Sequence, residues 1–254
     1  MKIKGLLFLI FMFSLTCASA SEKMPDELYE DANKAYANSE FQLAIEKYMQ
    51  IINQGYEQDN LFFNLANAFY KTEETTLAVL YYEKALKLNP AHADARFNLK
   101  MTNQKTVDKI EPLPELSLIS WWKNIIYAKS ADDWGWLTIQ ALFLGLLLFS
   151  GYIIINNVLL KKVGFFGGVA MLIASGLFFL FGYQQISNVK NNSYAIVFSP
   201  TLTVRSAPDI TGTKLFVIHE GVKVQVLDSL SEWRKISIPN GSEGWVKTKA
   251  IEKI

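Results

Sequence analysis

The stretch WLTIQALFLGLLLFSGYIIINNVLLKKVGFFGGVAMLIASGLFFLFGY, residues 136–183, holds two apolar segments, 136–155 and 163–183, joined by NNVLLKK (156–162). A bilayer core about 30 Å thick takes about 20 apolar residues in a helix, and neither segment carries a charge. Core helices of soluble domains are usually shorter and keep one polar face. The pattern predicts a two-helix transmembrane hairpin. Its link is too short for a domain, and Lys161 and Lys162 are the only charges in it. Short lysine-bearing loops stay on the cytoplasmic side, so 156–162 is expected to be a cytoplasmic loop.

The N-terminus supplies an independent cue. Lys2 and Lys4 precede a short apolar run, 5–15, and Ala18-Ser19-Ala20 fits a cleavage site. Residues 1–20 therefore read as a secretory signal peptide. A leader that exports the chain from Ser21, one span inward and one outward, puts both flanking regions outside the cytoplasm. The expected location is a bacterial inner membrane, with both soluble modules periplasmic. Cys17, the single cysteine, lies in the leader. A lipoprotein reading of it fits the preceding Ser-Leu-Thr poorly, and cleavage after Ala20 leaves neither a disulfide framework nor thiol chemistry.

The near-neutral total hides an asymmetry. Residues 21–111 carry 15 acidic and 10 basic side chains, and residues 190–254 carry 6 and 9. Neither region has the dense Lys/Arg patch that nucleic acid requires, so no nucleic-acid partner is expected. Just before the first apolar segment, SADDWGW (130–136) offers Ser130 and Asp133 as a capping box and places Trp134 and Trp136 at interface depth. Upstream, LSLISWWKNIIYAK (116–129) is an amphipathic stretch. It either lies on the membrane surface or packs on protein, and residues 108–135 are assigned as linker and interfacial helix.

The front module, 25–107, matches itself when shifted by 34 residues: Ala32 falls on Ala66, Asn33 on Asn67, Tyr36 on Tyr70, Ala44 on Ala78, Tyr48 on Tyr82. That period belongs to tetratricopeptide repeats, helical hairpins that stack into a solenoid. In the second copy (59–92), Ala66 and Ala78 let helices approach closely and Pro90 stops the second helix. A third copy begins at 93 and lacks a partner helix, so it reads as a cap. DKIEPLPE (108–115) is a proline-broken linker.

The first helix of each pair lines the concave groove of such arrays, which bind peptides or proteins. By position the lining is Tyr29, Asn33, Tyr36, Phe63, Asn67, Tyr70, Lys71, Phe97 and Met101. Tyr36 and Tyr70 serve either as ligand contacts or as packing. Asn33 and Asn64 fit the two asparagines of the carboxylate-clamp sub-class, but Tyr29, Asp94 and Asn98 stand where its cations belong, which argues against a clamp.

From Tyr194 the period changes to two. VKVQVL (222–227) and RKISI (234–238) alternate, and Asn240-Gly241 marks a hairpin turn. Residues 194–254 are expected to form a small all-β barrel. Val204-Arg205-Ser206 followed by Pro208, then Glu220-Gly221, Trp233 and Gly244-Trp245-Val246, resemble the bacterial SH3 domain. Thr203 and Ala207 depart from the family's first loop. The resemblance implies cell-wall peptide or protein ligands, with Trp233 and Trp245 either lining such a site or belonging to the barrel's core or edge.

No phosphate loop or nucleophile elbow appears, and His92 and His219 lack companions at ligand spacing. No enzyme activity, cofactor or metal is expected. Signal peptide, tetratricopeptide array, hairpin and SH3 domain in that order are similar to the BatE-type family encoded with the Bacteroides aerotolerance genes. That resemblance implies a membrane scaffold whose partners are envelope proteins, especially other Bat-type membrane proteins. The alternative is a tether or sensor that grips peptidoglycan. Membrane lipid surrounds the hairpin in either case.

Overall fold

Ala32, Ala44, Ala66 and Ala78 are fully buried, and so are Tyr48 and Tyr82. The 34-residue match is therefore a match in packing. The computed structural model describes residues 26–191 and 193–254; the leader and Cys17 lie outside them. The front module consists of α1 (Asp26–Ala37), α2 (Phe41–Asn53), α3 (Asp59–Lys71), α4 (Thr75–Leu88) and the cap α5 (Ala93–Asn103). The turn inside each repeat closes through a left-handed residue, Ser39 at φ 64° and Glu73 at φ 65°, again 34 apart. Small alanines at full burial let α1–α2 and α3–α4 pack closely, and Leu61, Leu65 and Ile51 fill the space between repeats at zero exposure.

The link 104–116 carries α5 across to the barrel. It is ordered against protein, not a free spacer: Asp108 accepts from the His219 backbone N–H at 2.6 Å and its other oxygen lies 2.9 Å from His219 Nδ1, and the Leu113 N–H donates to the Pro239 carbonyl. The amphipathic stretch then forms α6 (Ser117–Ile126). Ile126 is buried, while Leu118, Ile119 and Trp121 stay exposed.

The hairpin is α7 (Ala131–Ile154) and α8 (Val158–Asn191), both long and apolar enough to cross a membrane. Ser130 and Asp133 close the expected capping box on α7. Three differences from the sequence reading concern the ends. Only residues 155–157 link the helices. Asn157 accepts from the Leu159 and Leu160 N–H groups, which starts α8 early and puts Lys161 and Lys162 near its N-terminus instead of in a seven-residue loop. Trp134 is buried and donates its indole N–H to the Ile126 carbonyl at 2.9 Å, so of the expected Trp134–Trp136 pair Trp136 is the exposed one. Finally, α8 is 34 residues long, about 51 Å at 1.5 Å per residue. It overshoots a bilayer core and carries the chain directly to the barrel.

The helices touch through glycines. A Cβ at Gly168 would meet the Phe149 ring at 2.8 Å, and one at Gly164 the Leu148 carbonyl at 2.8 Å. Gly164 and Gly168 form a G-x-x-x-G pair, the spacing that lets membrane helices approach.

The C-terminal module is an antiparallel sheet in the order β3-β2-β6-β5-β4-β1-β7: β1 (Ser193–Val197), β2 (Thr201–Arg205), β3 (Lys214–His219), β4 (Lys223–Leu230), β5 (Trp233–Ser237), β6 (Glu243–Lys247) and β7 (Ile251–Lys253). Val204, Ile218, Val224, Ile236 and Val246 make its core, and Gly241, at φ +84°, turns β5 into β6 as expected. The molecule thus combines a helical tetratricopeptide-like region, an apolar hairpin and an SH3-like barrel.

The two soluble modules touch. Ile196 of β1 is fully buried in the front module's core cluster. Lys223 pairs with the largely buried Glu83 of α4 at 2.6 Å, Thr76 donates to Glu220 at 3.0 Å, and Lys87 donates to the Ile254 main-chain oxygen at 2.6 Å. The barrel therefore sits on α4, the second helix of the second repeat, and leaves the first-helix face uncovered.

Candidate partner-binding groove

Four asparagines and two tyrosines build the floor of that uncovered face. In the first repeat, Asn33 Oδ1 accepts from the Tyr48 hydroxyl at 2.6 Å and from Asn64 Nδ2 at 3.1 Å. In the second, Asn67 Oδ1 accepts from the Tyr82 hydroxyl at 2.6 Å and from Asn98 Nδ2 at 2.8 Å. Every member has moved by 34 positions, so the hydrogen-bond network repeats with the fold. It also orients the amides, because an oxygen that accepts two internal donors fixes which end of the side chain faces away. The NH2 group of Asn67 has no acceptor among the described residues, whereas Asn33 also bonds to the Tyr29 phenol.

Burial raises the pKa of the Tyr48 and Tyr82 phenols far above the ordinary tyrosine range. Desolvation raises Tyr29 and Tyr36 as well. The neutral hydroxyl is thus the form the floor requires, and it is available as a donor throughout the physiological range.

Of the residues expected to line the groove, Tyr36, Asn67, Tyr70, Lys71 and Met101 surround one cavity of about 320 Å³, together with Tyr82, Asn98 and Thr102. Lys105, which the sequence reading did not single out, places its ammonium 4.0 Å above the Tyr70 ring, a cation–π contact on one of the wall residues, although Lys71 is the cation that lines the cavity itself. Tyr29 lies farther along the face, where its hydroxyl accepts from Asn64 at 2.8 Å. Phe63 packs between Tyr82 and His92, at 6.1 and 4.6 Å between ring centroids, and Phe97 is 65% exposed but outside the cavity wall. Asn33 and Asn64 bond to each other, which occupies the clamp asparagines with structure.

On the barrel, Trp233 and Trp245 are half-buried. Lys235 pairs with Trp245, and Lys247 with Trp233, in register, and directly opposed residues share a face. The two tryptophans therefore stand on one outward face with Lys235 and Lys247, outside the buried core. Arg205 is opposite Trp245 on β2. Gly244 must be glycine, since a Cβ there would lie 2.8 Å from the Arg205 carbonyl. The divergent first loop is held from inside: Arg205 donates to the Gly212 carbonyl at 2.9 Å, and Asp209 accepts from the Thr211 hydroxyl and the Gly212 N–H, which keeps its carboxyl below the usual range.

Two family models match the chain. Residues 200–252 match a bacterial SH3 domain, and residues 21–123 match YfiO, an outer membrane lipoprotein family. No curated protein matches. The chain is thus similar to two kinds of interaction module, joined by two helices of membrane-spanning character, and this supports a protein-interaction or envelope-associated role.

Proposed function

We propose that this chain is a non-enzymatic, membrane-anchored scaffold that recruits envelope proteins through the groove of its front module. The observation that carries this is the repeated asparagine–tyrosine floor. It spends its own carbonyl oxygens internally and leaves the Asn67 NH2 without an acceptor among the described residues, in a cavity walled by Tyr36 and Tyr70. A peptide main chain supplies a carbonyl for that amide, and an acidic side chain on it complements Lys71. The hairpin serves as a two-span anchor in the inner membrane, with both modules periplasmic. The contact between Glu83 and Lys223 supports one shared side, because an ion pair cannot form across a bilayer. The similarity to BatE-type proteins adds a role in aerotolerance or stress response, with other Bat-type membrane proteins as the partners.

The runner-up is a cell-wall tether, favoured by the outward tryptophan–lysine face of the barrel. A single comparison separates the two. In Tyr36→Ala/Tyr70→Ala the chain stays folded and inserted but loses its co-purifying envelope proteins, since aromatic anchors at an interface centre are each worth about 2 kcal/mol or more. In Trp233→Ala/Trp245→Ala those proteins remain. The opposite pattern, with binding to intact sacculi lost only in the tryptophan variant, overturns the scaffold in favour of the tether.

A further inference from the structure

A second cavity, about 850 Å³, opens where α4, α5, α6, the end of α8 and the barrel meet. Five cations line it, Lys87, Arg96, Lys190, Lys223 and Lys253, against one acidic side chain, Glu83. Glu83 is taken by Lys223. Lys87 donates to an oxygen of Ile254, and Arg96 donates to the Pro90 carbonyl, which satisfies a donor without neutralising its charge. Lys190 and Lys253 have no hydrogen bond or ion pair among the described residues. Arg96, Lys190 and Lys253 are left in one cleft without an acidic partner among the described residues, and an assembled cleft of one sign attracts a counter-ion of the other.

The position of the cleft says which anion. The apolar run of α8 ends at Tyr183. Lys190 stands seven residues later, about 10 Å along the helix, at the outer edge of a headgroup layer, and a lysine stem bends toward such a layer readily. Helix α6 is fixed at the same level, because Trp122 donates to Gln184 at 3.3 Å and Asn188 to the Tyr127 hydroxyl at 3.1 Å. Its exposed Leu118, Ile119 and Trp121 suit the boundary between acyl chains and headgroups. Asn124 of that same helix and Tyr127, its C-cap, line the cleft. One face of α6 thus addresses apolar surface, while its other residues line a cationic chamber beside it.

We infer that this junction cleft binds the phosphate of an anionic phospholipid headgroup, held by Lys190 and Lys253 with Lys87 and Arg96 behind them. The inference rests on the two-span reading of the hairpin. A bound headgroup would tie the front module, the hairpin and the barrel to one orientation on the membrane.

The test is native mass spectrometry of the full chain in detergent, offered phosphatidylglycerol and phosphatidylcholine in equal amounts. It is run in a K161Q/K162Q background so that lipid held at the other end of the hairpin is not counted. The expected result is selective retention of phosphatidylglycerol, with K190Q/K253Q reducing that selectivity about tenfold or more. Equal retention of the two lipids overturns the site, as does unchanged selectivity in K190Q/K253Q. Inorganic phosphate that binds as tightly as the lipid overturns the assignment to a headgroup. Release of the parent chain from membranes by alkaline carbonate removes the two-span reading, and this inference with it, whereas a retained chain without selectivity removes the inference alone.

Discussion

Asn67 illustrates how one residue serves both fold and function here. Its oxygen accepts from Tyr82 and Asn98, and in the proposed function its NH2 is the group that meets a partner. Asn67→Ala strands both donors, and Tyr82 is only 1% exposed, so the change should cost about 1–3 kcal/mol. Tyr82→Phe, which removes one donor and leaves Asn67 a partner, should cost about 1 kcal/mol. Thermal unfolding followed by circular dichroism ranks the two, and equal losses would mean that the network is not coupled. The same phenols predict alkaline lability. The fold favours their neutral form, so their contribution is intact below the unfolded-state pKa of about 10 and falls above it, by about 1.4 kcal/mol per pH unit for each tyrosine. A Tyr48→Phe/Tyr82→Phe chain should lose stability less steeply above that pH than the parent. The candidate floor was partly legible in the sequence, since Asn33, Asn67, Tyr48 and Tyr82 all recur at the repeat period. The fate of Phe63 was not, because its packing on His92 depends on how the cap helix closes the array.

At the scale of elements, apolar length and repeat period identified every helix pair, while helix ends depended on single side chains. Asn157 starts α8 four residues before Lys161, a local hydrogen bond that hydropathy does not register. The burial of Trp134 follows from α6 folding back on the hairpin, again outside what a window of sequence conveys. The G-x-x-x-G spacing of Gly164 and Gly168, which the sequence reading passed over, is the sequence signal for the close helix contact. Gly168→Leu should push α7 and α8 apart against the Phe149 ring and lower thermal stability in detergent by about 1–3 kcal/mol; an unchanged melting temperature would contradict the contact. In the front module, Ala66→Glu places a charge at a fully buried position and should cost about 3 kcal/mol or more. An array this short should then lose its cooperative helical transition, and a variant that melts like the parent would contradict the packing of α3.

At the scale of the whole molecule, the front module and the barrel pack into one head, and the proposed function sets that head on a two-span anchor. Its parts were legible one by one, each from its own period: 34 residues, a long apolar run, then alternation. Their arrangement was not, because it depends on long-range pairs such as Glu83 with Lys223 and Asp108 with His219, which carry no signature in the sequence around them. Docking of the barrel on α4 has a functional consequence: it steadies the second repeat from behind while the first-helix face stays open. A small array of two repeats and a cap gains stability from such a neighbour, as solenoids need their ends covered. The central claim is that front module and barrel form one head outside the cytoplasm, with the hairpin's linked end inside. Cysteines introduced singly at Gln42, Ile210 and Lys161, in cells with a permeable outer layer, test it most directly with a membrane-impermeant thiol reagent. The account predicts labelling at Gln42 and Ile210 and protection at Lys161; labelling of only one head position, or of Lys161 alone, would contradict it.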